Sequence, residues 1–254
     1  MTSASTGRHD VGTRPATTPP AHEARLAVRL ATGALLAGLV ALPFLLLLLL
    51  VEGRYEGLEH VDRGVADGLN GWALQHAGVV HLLDTVAVVL APNTFRAVVV
   101  AVAVWLWVRR ARRLAVWAVV TLAVGGVLGV VLKHVVARAR PTFPDPVASA
   151  SSYSFPSGHA LNSMLGTAIV LLVVLPVLGP RWRAVAWAVG AFLVLLTGFD
   201  RIALGVHFVS DVLAGWIVAL AVVVGSTVAF GAWGRLRSRG LDPAESRRAV
   251  PGSP

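Results

Sequence analysis

The 254-residue chain contains no cysteine, so disulfides and thiolate metal sites are excluded from any account of its stability or chemistry. Charge is scarce: 14% of residues are Asp, Glu, Lys or Arg, against 56% hydrophobic, with a mean hydropathy of +0.73. An ordinary soluble domain carries far more charge than this, which leaves an integral membrane protein. Lysine is almost absent as well. Among 22 basic residues only Lys133 is a lysine, so one compact ammonium stands alone in a chain that otherwise uses arginine.

What is abundant is apolar sequence in long runs. The formal charge of +9 could suggest nucleic acid, but the arginines fall in short clusters at the ends of apolar segments, the pattern of positive-inside anchoring. No nucleic-acid partner is expected. Residues 1–25 are rich in Thr, Pro, Ala and Ser without apolar periodicity and are expected to be a disordered cytoplasmic tail. Leu26 to Val51 is long enough to cross a hydrocarbon core and lacks a small-residue cleavage site, so it is expected to remain as an anchor. Glu52 to Gln75 is an acid-leaning stretch, expected to be a loop unlike the others and to lie outside the cytoplasm. Val79 to Val108 supplies one crossing, either as an interfacial helix with a short span or as one kinked helix, with a break at Ala91-Pro92-Asn93-Thr94. Leu114–Leu132, His159–Leu178, Trp182–Phe199 and His207–Trp233 complete six spans, and residues 235–254 form a polar basic tail. Gly125, Gly126 and Gly129 offer a small-residue face for close packing. The tryptophans near span ends, Trp105, Trp107, Trp117, Trp182, Trp187 and Trp233, suit an interfacial belt. The expected fold is an all-α bundle of about six transmembrane helices.

With a cytoplasmic amino terminus, the basic runs at 109–113, 181–183 and 235–239 fall inside, and three polar stretches share the outer side. The first, Lys133 to Pro141, places Lys133, Arg138 and Arg140 against the charge rule, and ionisable groups so placed are functional by default. Lys133 and Arg140 are seven residues apart, which would keep them on one helical face, with Pro141 ending the element. Two such cations suit phosphate, or anionic headgroups. The second stretch, Pro156-Ser157-Gly158-His159, opens an apolar helix whose first N–H groups are unpaired and favour an anion. Ser157 alone could be a helix cap. In the third, His207 and Asp211 are i and i+4 at a helix start, so the carboxylate can hold one ring N–H and leave the other nitrogen as a nucleophile, while Arg201 offers a planar fork for phosphate oxygens. His60, His76, His81 and Asp84 give no metal-ligand spacing and are expected to be surface or interface groups.

These three stretches resemble, in order and spacing, the signature motifs of the type 2 phosphatidic acid phosphatase family, related to the vanadium-dependent haloperoxidases. Lys133 with Arg140-Pro141 matches K-x6-R-P, Pro156 to His159 matches in full, and Arg201, His207 and Asp211 match R-x5-H-x3-D. The resemblance spans roughly Val79 to Trp233. It implies a metal-independent, cofactor-free membrane lipid phosphatase domain over 26–234, probed by lipid phosphates such as undecaprenyl diphosphate, phosphatidic acid or phosphatidylglycerol phosphate. It implies His207 as nucleophile through a phosphohistidine, Asp211 as its orienting group and His159 as proton donor. Lys133, Arg140, Ser157, Gly158 and Arg201 would bind the phosphoryl oxygens. The expected setting is a bacterial cell membrane, multi-pass, with the site facing outward; its partners would be the lipid substrate and membrane lipids, with oligomeric state open. A phosphotransferase using the same phosphohistidine, or a non-catalytic lipid-binding protein, are the alternatives, and a haloperoxidase is disfavoured by six spans. One departure stands out: Asp200 occupies the place where the family usually has serine, and a carboxylate there could pair with Arg201 or repel the substrate.

Overall fold

The computed structural model describes the backbone of residues 21–231, with side chains from residue 26. Residues 1–20 of the expected first tail, the whole expected tail at 235–254 with the basic run at 235–239, and Trp233 at the expected end of the last span lie outside the described residues. The described chain is all-helical and contains no strand. Helix α1 runs Ala21–Glu52, α2 Glu56–Leu74, α3 Ala77–Val89, α4 Pro92–Val108, α5 Arg112–Val136, α6 Gly158–Val174, α7 Pro180–Ala203 and α8 Val209–Ala229, with a 3-10 turn at Leu175–Val177. Six segments are long and apolar enough to cross a membrane: Leu26–Glu52, Ala77–Val108, Arg112–Val136, Gly158–Val177, Pro180–Ala203 and Val209–Ala229. The six-span bundle expected from composition is therefore the architecture observed.

Two places differ from expectation, and in a third an open alternative is settled. Helix α1 starts at Ala21, so residues 21–25 of the expected tail are helical; Ala21, Glu23, Ala24 and Arg25 are all strong helix formers. The acid-leaning stretch after α1 is no loop but the 19-residue helix α2. Leu58, Val61, Val65, Leu69 and Trp72 recur at helical spacing along it, beside a separate buried face of Asp62, Ala66, Asn70 and Ala73. Residues 77–108 form two helices rather than one kinked helix, because Ala91 takes an extended conformation and Pro92 starts α4 at its first turn. Helix α3, of 13 residues, is about 20 Å long, well short of a hydrocarbon core of about 30 Å.

Helix α6 is the axis of the bundle, packed by α4, α5, α7 and α8, while α1 lies almost wholly on α8. Val99, Trp117, Phe155, Leu161, Leu165, Ile169 and Val218 lead the main core. A second apolar cluster, Leu83, Ala203, Leu204 and Val206, joins α3 to the end of α7. Small residues set the close crossings. A Cβ on Gly125 would stand 2.5 Å from Leu165 Cδ2 and one on Gly129 3.0 Å from Leu161 Cδ1, but Gly126 faces nothing within 4 Å, so the packing face of α5 is an i, i+4 pair. Helix α8 meets the start of α6 at Gly215, where a Cβ would lie 2.7 Å from the carbonyl oxygen of Ser157. The tryptophans divide. Trp105, Trp107, Trp182 and Trp187 are exposed at helix ends, as a belt requires, with Arg109 and Arg112 over the rings of Trp105 and Trp107. Trp117 is instead fully buried, its indole N–H donating to Ser226 Oγ at 3.3 Å; a polar tip needs such a partner once the ring is in the core.

Alternating helix directions bring the end of α5, the start of α6, the end of α7 and the start of α8 to one end of the bundle, and α2 lies at the same end. The turns carrying Arg109, Arg110, Arg112 and Arg113, and Arg181 and Arg183, occupy the opposite end.

Candidate active site

Four chain segments meet at the polar end. Helix α5 stops at Val136, because Ala137 takes the left-handed conformation (φ 48°) and donates its N–H back to the Lys133 carbonyl. This corrects the expectation that Pro141 ends the element and that Lys133 and Arg140 share a helical face. Residues 137–141 leave the helix, and Arg140 reaches the site from non-helical chain. Its guanidinium donates from Nε to the Ser152 carbonyl at 2.9 Å and from Nη1 to the Val206 carbonyl at 2.5 Å, and Nη1 stands 3.2 Å from His207 Nε2. Lys133, from the last turn of α5, donates to the Tyr153 carbonyl at 2.5 Å. Both cations therefore grip the 151–153 backbone and hold the loop against the site.

His207 sits between α7 and α8, 3% exposed. Its Nδ1 lies 3.4 Å from Asp211 Oδ2, and the same carboxylate oxygen accepts from the Phe208 N–H at 2.9 Å and from the Ser154 hydroxyl. The i, i+4 pairing expected on α8 is thus in place, with Nδ1 turned to the carboxylate and Nε2 toward the cation side. Burial, with Arg140 and Lys133 adding in the same direction and Asp211 opposing them, lowers the His207 pKa from its ordinary value to about 4. The imidazole is neutral at pH 7, the form a nucleophile needs. Burial likewise lowers the Arg140 pKa, aided by nearby Arg201 and opposed by Asp211. A cation desolvated in this way gains from an incoming anion.

Ser157 is the N-cap of α6, its hydroxyl accepting from the Ala160 N–H at 3.5 Å, and its own N–H donates to the Asp211 carbonyl at 2.9 Å. The cap and the start of α8 are consequently one unit. His159 follows one residue inside α6, half-buried, in electrostatic range of Arg201, His207 and Arg140, with the Ala87 backbone of α3 at its ring. Arg96 supports this turn through Asn162, which it meets at 2.9 Å; Asn162 in turn donates to the Gly158 carbonyl at 2.8 Å.

Arg201 closes the fourth side from the end of α7. Its Nε donates to Asp200 Oδ2 at 2.8 Å and its Nη2 to the same oxygen, so the carboxylate that departs from the motif pairs with Arg201. Asp200 Oδ1 is buried without a partner among the described residues. An anion arriving at Arg201 must compete with this pair. Asp200→Ser is expected to leave turnover equal or raise it by up to about tenfold, through stronger phosphate binding; a fall of tenfold or more in kcat/KM would show that Asp200 has a role of its own.

All eight expected site residues lie at this one end of the bundle. Sequence reasoning singled out Arg138 by its charge but gave it no partner, and it missed the other groups that hold the site: Ser154 joins Arg138 on Asp211, and Asp62 and Ser210 hold Arg138. His60, His76, His81 and Asp84 are exposed. A cavity of about 530 Å³ opens between the ends of α1 and α2 and residues 136–143; Arg138, Arg140 and Phe208 line it, and His207 does not.

Residues 114–235 match the family model of the PAP2 superfamily. Over 115 residues the chain is 34% identical to an undecaprenyl-diphosphatase of Sulfolobus acidocaldarius, covering 43% of this chain and 52% of that protein. It is 38% identical over 96 residues to phosphatidylglycerophosphatase B of Bacillus subtilis, covering 37% and 46%. It is 37% identical over 115 residues to a decaprenylphosphoryl-5-phosphoribose phosphatase of Mycobacterium tuberculosis, covering 44% and 58%. The chain thus spans about half the length of the curated relatives it matches. In fold it resembles the crystal structure of a transmembrane PAP2 type phosphatidylglycerolphosphate phosphatase from Bacillus subtilis, with a TM-score of 0.64 at 23% identity, over 82% of this chain and 98% of that one.

Proposed function

We propose, from the match of residues 114–235 to the PAP2 superfamily model, that the protein is a membrane lipid phosphatase of that family, which hydrolyses a phosphomonoester or diphosphate whose apolar tail stays in the bilayer. The observation that carries this reading is the bipolar setting of His207: Nδ1 turned to Asp211, Nε2 turned to Arg140. Undecaprenyl diphosphate, phosphatidic acid and phosphatidylglycerol phosphate are the substrates to test first, and the first and last accord with the names of the relatives.

In the proposed reaction His207 Nε2 attacks phosphorus and the bond to the leaving oxygen breaks. His159 gives that oxygen its proton. Asp211 holds the Nδ1 proton and stabilises the charge that develops on the ring. Water then attacks the phosphohistidine, losing a proton to His159; the P–N bond breaks and inorganic phosphate leaves. Lys133, Arg140, Arg201, Ser157 and the Gly158 N–H would bind the equatorial oxygens, which is the positioning and charge stabilisation phosphoryl transfer requires. Purified protein in detergent with EDTA should release phosphate from at least one of these lipids. Failure on all of them would end this reading.

A pH profile tests the nucleophile directly. With the His207 pKa lowered to about 4, the ring loses reactivity only as pH falls through that region. The acid limb of kcat/KM common to substrates whose phosphates ionise differently is therefore expected near 4. A common limb near the unperturbed histidine value of about 6.5 would remove the claim that His207 is buried and neutral in the working enzyme.

The site is proposed to face the outer side of a bacterial membrane, since the clustered arginines lie at the opposite end of the bundle. The chain has no cysteine, so Ser149→Cys, at an exposed position of the 137–157 loop, gives a single label. An impermeant thiol reagent should label it in intact cells; labelling only after lysis would reverse the orientation.

A further inference from the structure

We propose that Asp62 and Arg138 are positioning residues for the His207–Asp211 pair, forming with it an alternating row of charges that runs from the peripheral helix α2 to the reacting nitrogen. The proposal rests on the phosphatase reading for its kinetic consequences and on geometry alone for the row itself. Arg138 Nη1 lies 2.6 Å from Asp211 Oδ1, and Nη2 lies 2.9 Å from Asp62 Oδ2. Ser210 ties the two ends together: its hydroxyl accepts from Arg138 Nη1 at 2.7 Å and donates to Asp62 Oδ2 at 2.5 Å, and its N–H donates to Asp62 Oδ1 at 3.0 Å. The guanidinium also lies over the Phe208 ring, 4.4 Å from its centroid. Asp62 is 1% exposed and Asp211 fully buried, so the one arginine serves two desolvated carboxylates.

This arrangement does two things that helix packing would not require. It fixes the plane of the Asp211 carboxylate, with Oδ1 held by Arg138 and Oδ2 left to His207, Ser154 and the Phe208 N–H. It also sets how much negative charge Asp211 offers the imidazole, because Arg138 draws on that charge and Asp62 draws on Arg138. Charged and titratable groups facing the pair come from every side: Arg140 from the loop, Lys133 from α5, His159 from α6 and Arg138 itself. Arg201 of α7 acts on this group through Arg140 and His159. None of these but Arg138 contacts Asp62.

Alternation gives the test its sign. In full-length protein in nanodiscs, with 15N-labelled histidine and the His207 resonance assigned by its loss in a His207→Asn sample, the protonation midpoint of the coupled pair is followed on that resonance. In Arg138→Gln, Asp211 loses its counter-charge and the pair takes its first proton at a higher pH than wild type. In Asp62→Asn, Arg138 serves Asp211 alone and the midpoint falls below wild type; the double variant lies between the singles. On the lipid phosphate wild type turns over, each single variant lowers kcat by roughly 10- to 100-fold, the effect typical of outer-sphere orienting groups, with KM within about threefold. If Arg138→Gln fails to fold, Arg138→Lys keeps the charge but loses the two-pronged geometry, and its kcat should fall while the midpoint stays near wild type. Midpoints that shift in the same direction in both single variants, or do not shift at all, overturn the proposal, as does an unchanged kcat in Arg138→Lys. Should wild type hydrolyse none of the lipids, the phosphatase reading fails and the titration still decides the row of charges.

Discussion

Changing His207 to asparagine is expected to lower phosphate release by about 10⁴-fold or more, the scale at which loss of a covalent nucleophile is felt. The side chain of asparagine places its amide near the position of Nδ1, 3.4 Å from Asp211 Oδ2, and Arg140 keeps its bonds to the Ser152 and Val206 carbonyls, so the cation cluster should keep its place. What disappears is the lone pair on a neutral ring whose other nitrogen is turned to Asp211. Binding and charge stabilisation by Lys133, Arg140 and Arg201 would survive, and they alone account for the residual rate. The assay is phosphate release in detergent with EDTA, paired with a thermal melt to show that the bundle is intact. A variant that keeps more than about a hundredth of wild-type activity would rule out attack by His207, whatever the lipid. Protein denatured in alkali, where a phosphohistidine survives, should carry a low level of 32P on His207 in wild type and none in the variant.

Local spacing made the centre of the site legible. His207 and Asp211 are four residues apart on a helix start, and Ser157 opens a helix; both relations are decided within one turn of chain. The supports were not legible for the same reason. Asp62 and Ser210 are 148 residues apart and meet only because α2 folds back over the start of α8, and no periodicity in either segment announces that contact. Arg138 stood out against the charge rule, but it lies inside the spacer of its motif, and its partners are set only by the turn at Ala137 that takes it out of the helix. That same left-handed residue undid the expectation of a shared face for Lys133 and Arg140, since an alanine gives no sign in sequence that it will cap a helix the way glycine does. Helix α2 was the one error of type rather than position. Its charged residues suggested a loop, although the apolar positions from Leu58 to Trp72 repeat every three or four residues and would have disclosed it. Trp117 failed the belt rule because Ser226, one helix away, supplies the partner its indole needs to enter the core.

Those supports divide the site into two halves with different tolerances. The His207 half is held by Asp211, Ser154, Arg138 and Asp62, all tied by side-chain hydrogen bonds. The His159 half is held through its own backbone: the Ser157 N–H donates to the Asp211 carbonyl, the Gly158 carbonyl accepts from the Asn162 side chain, and Gly215 allows the close approach of α8. Replacing His159 should therefore change chemistry with little change in shape.

That separation makes His159→Asn the more informative of the two histidine variants. If His159 protonates the leaving oxygen, its loss should slow hydrolysis of an alkyl phosphate such as phosphatidic acid by about 10²- to 10⁴-fold, the usual worth of a general acid. A substrate whose leaving group needs no proton, such as p-nitrophenyl phosphate, should still phosphorylate His207 in the variant at close to the wild-type rate. The second step would then fail, because water has lost the base that activates it. The expected signature is a burst of one p-nitrophenolate per enzyme followed by slow turnover, with phosphohistidine accumulating and trapped by an alkaline quench. Wild type should accumulate far less. Equal losses on both substrates, with no burst, would place His159 among the phosphate-binding groups and leave the leaving oxygen to take its proton from water. The His207 variant makes no distinction of this kind, since it removes both steps at once, so the order of proton transfers rests on the behaviour of His159.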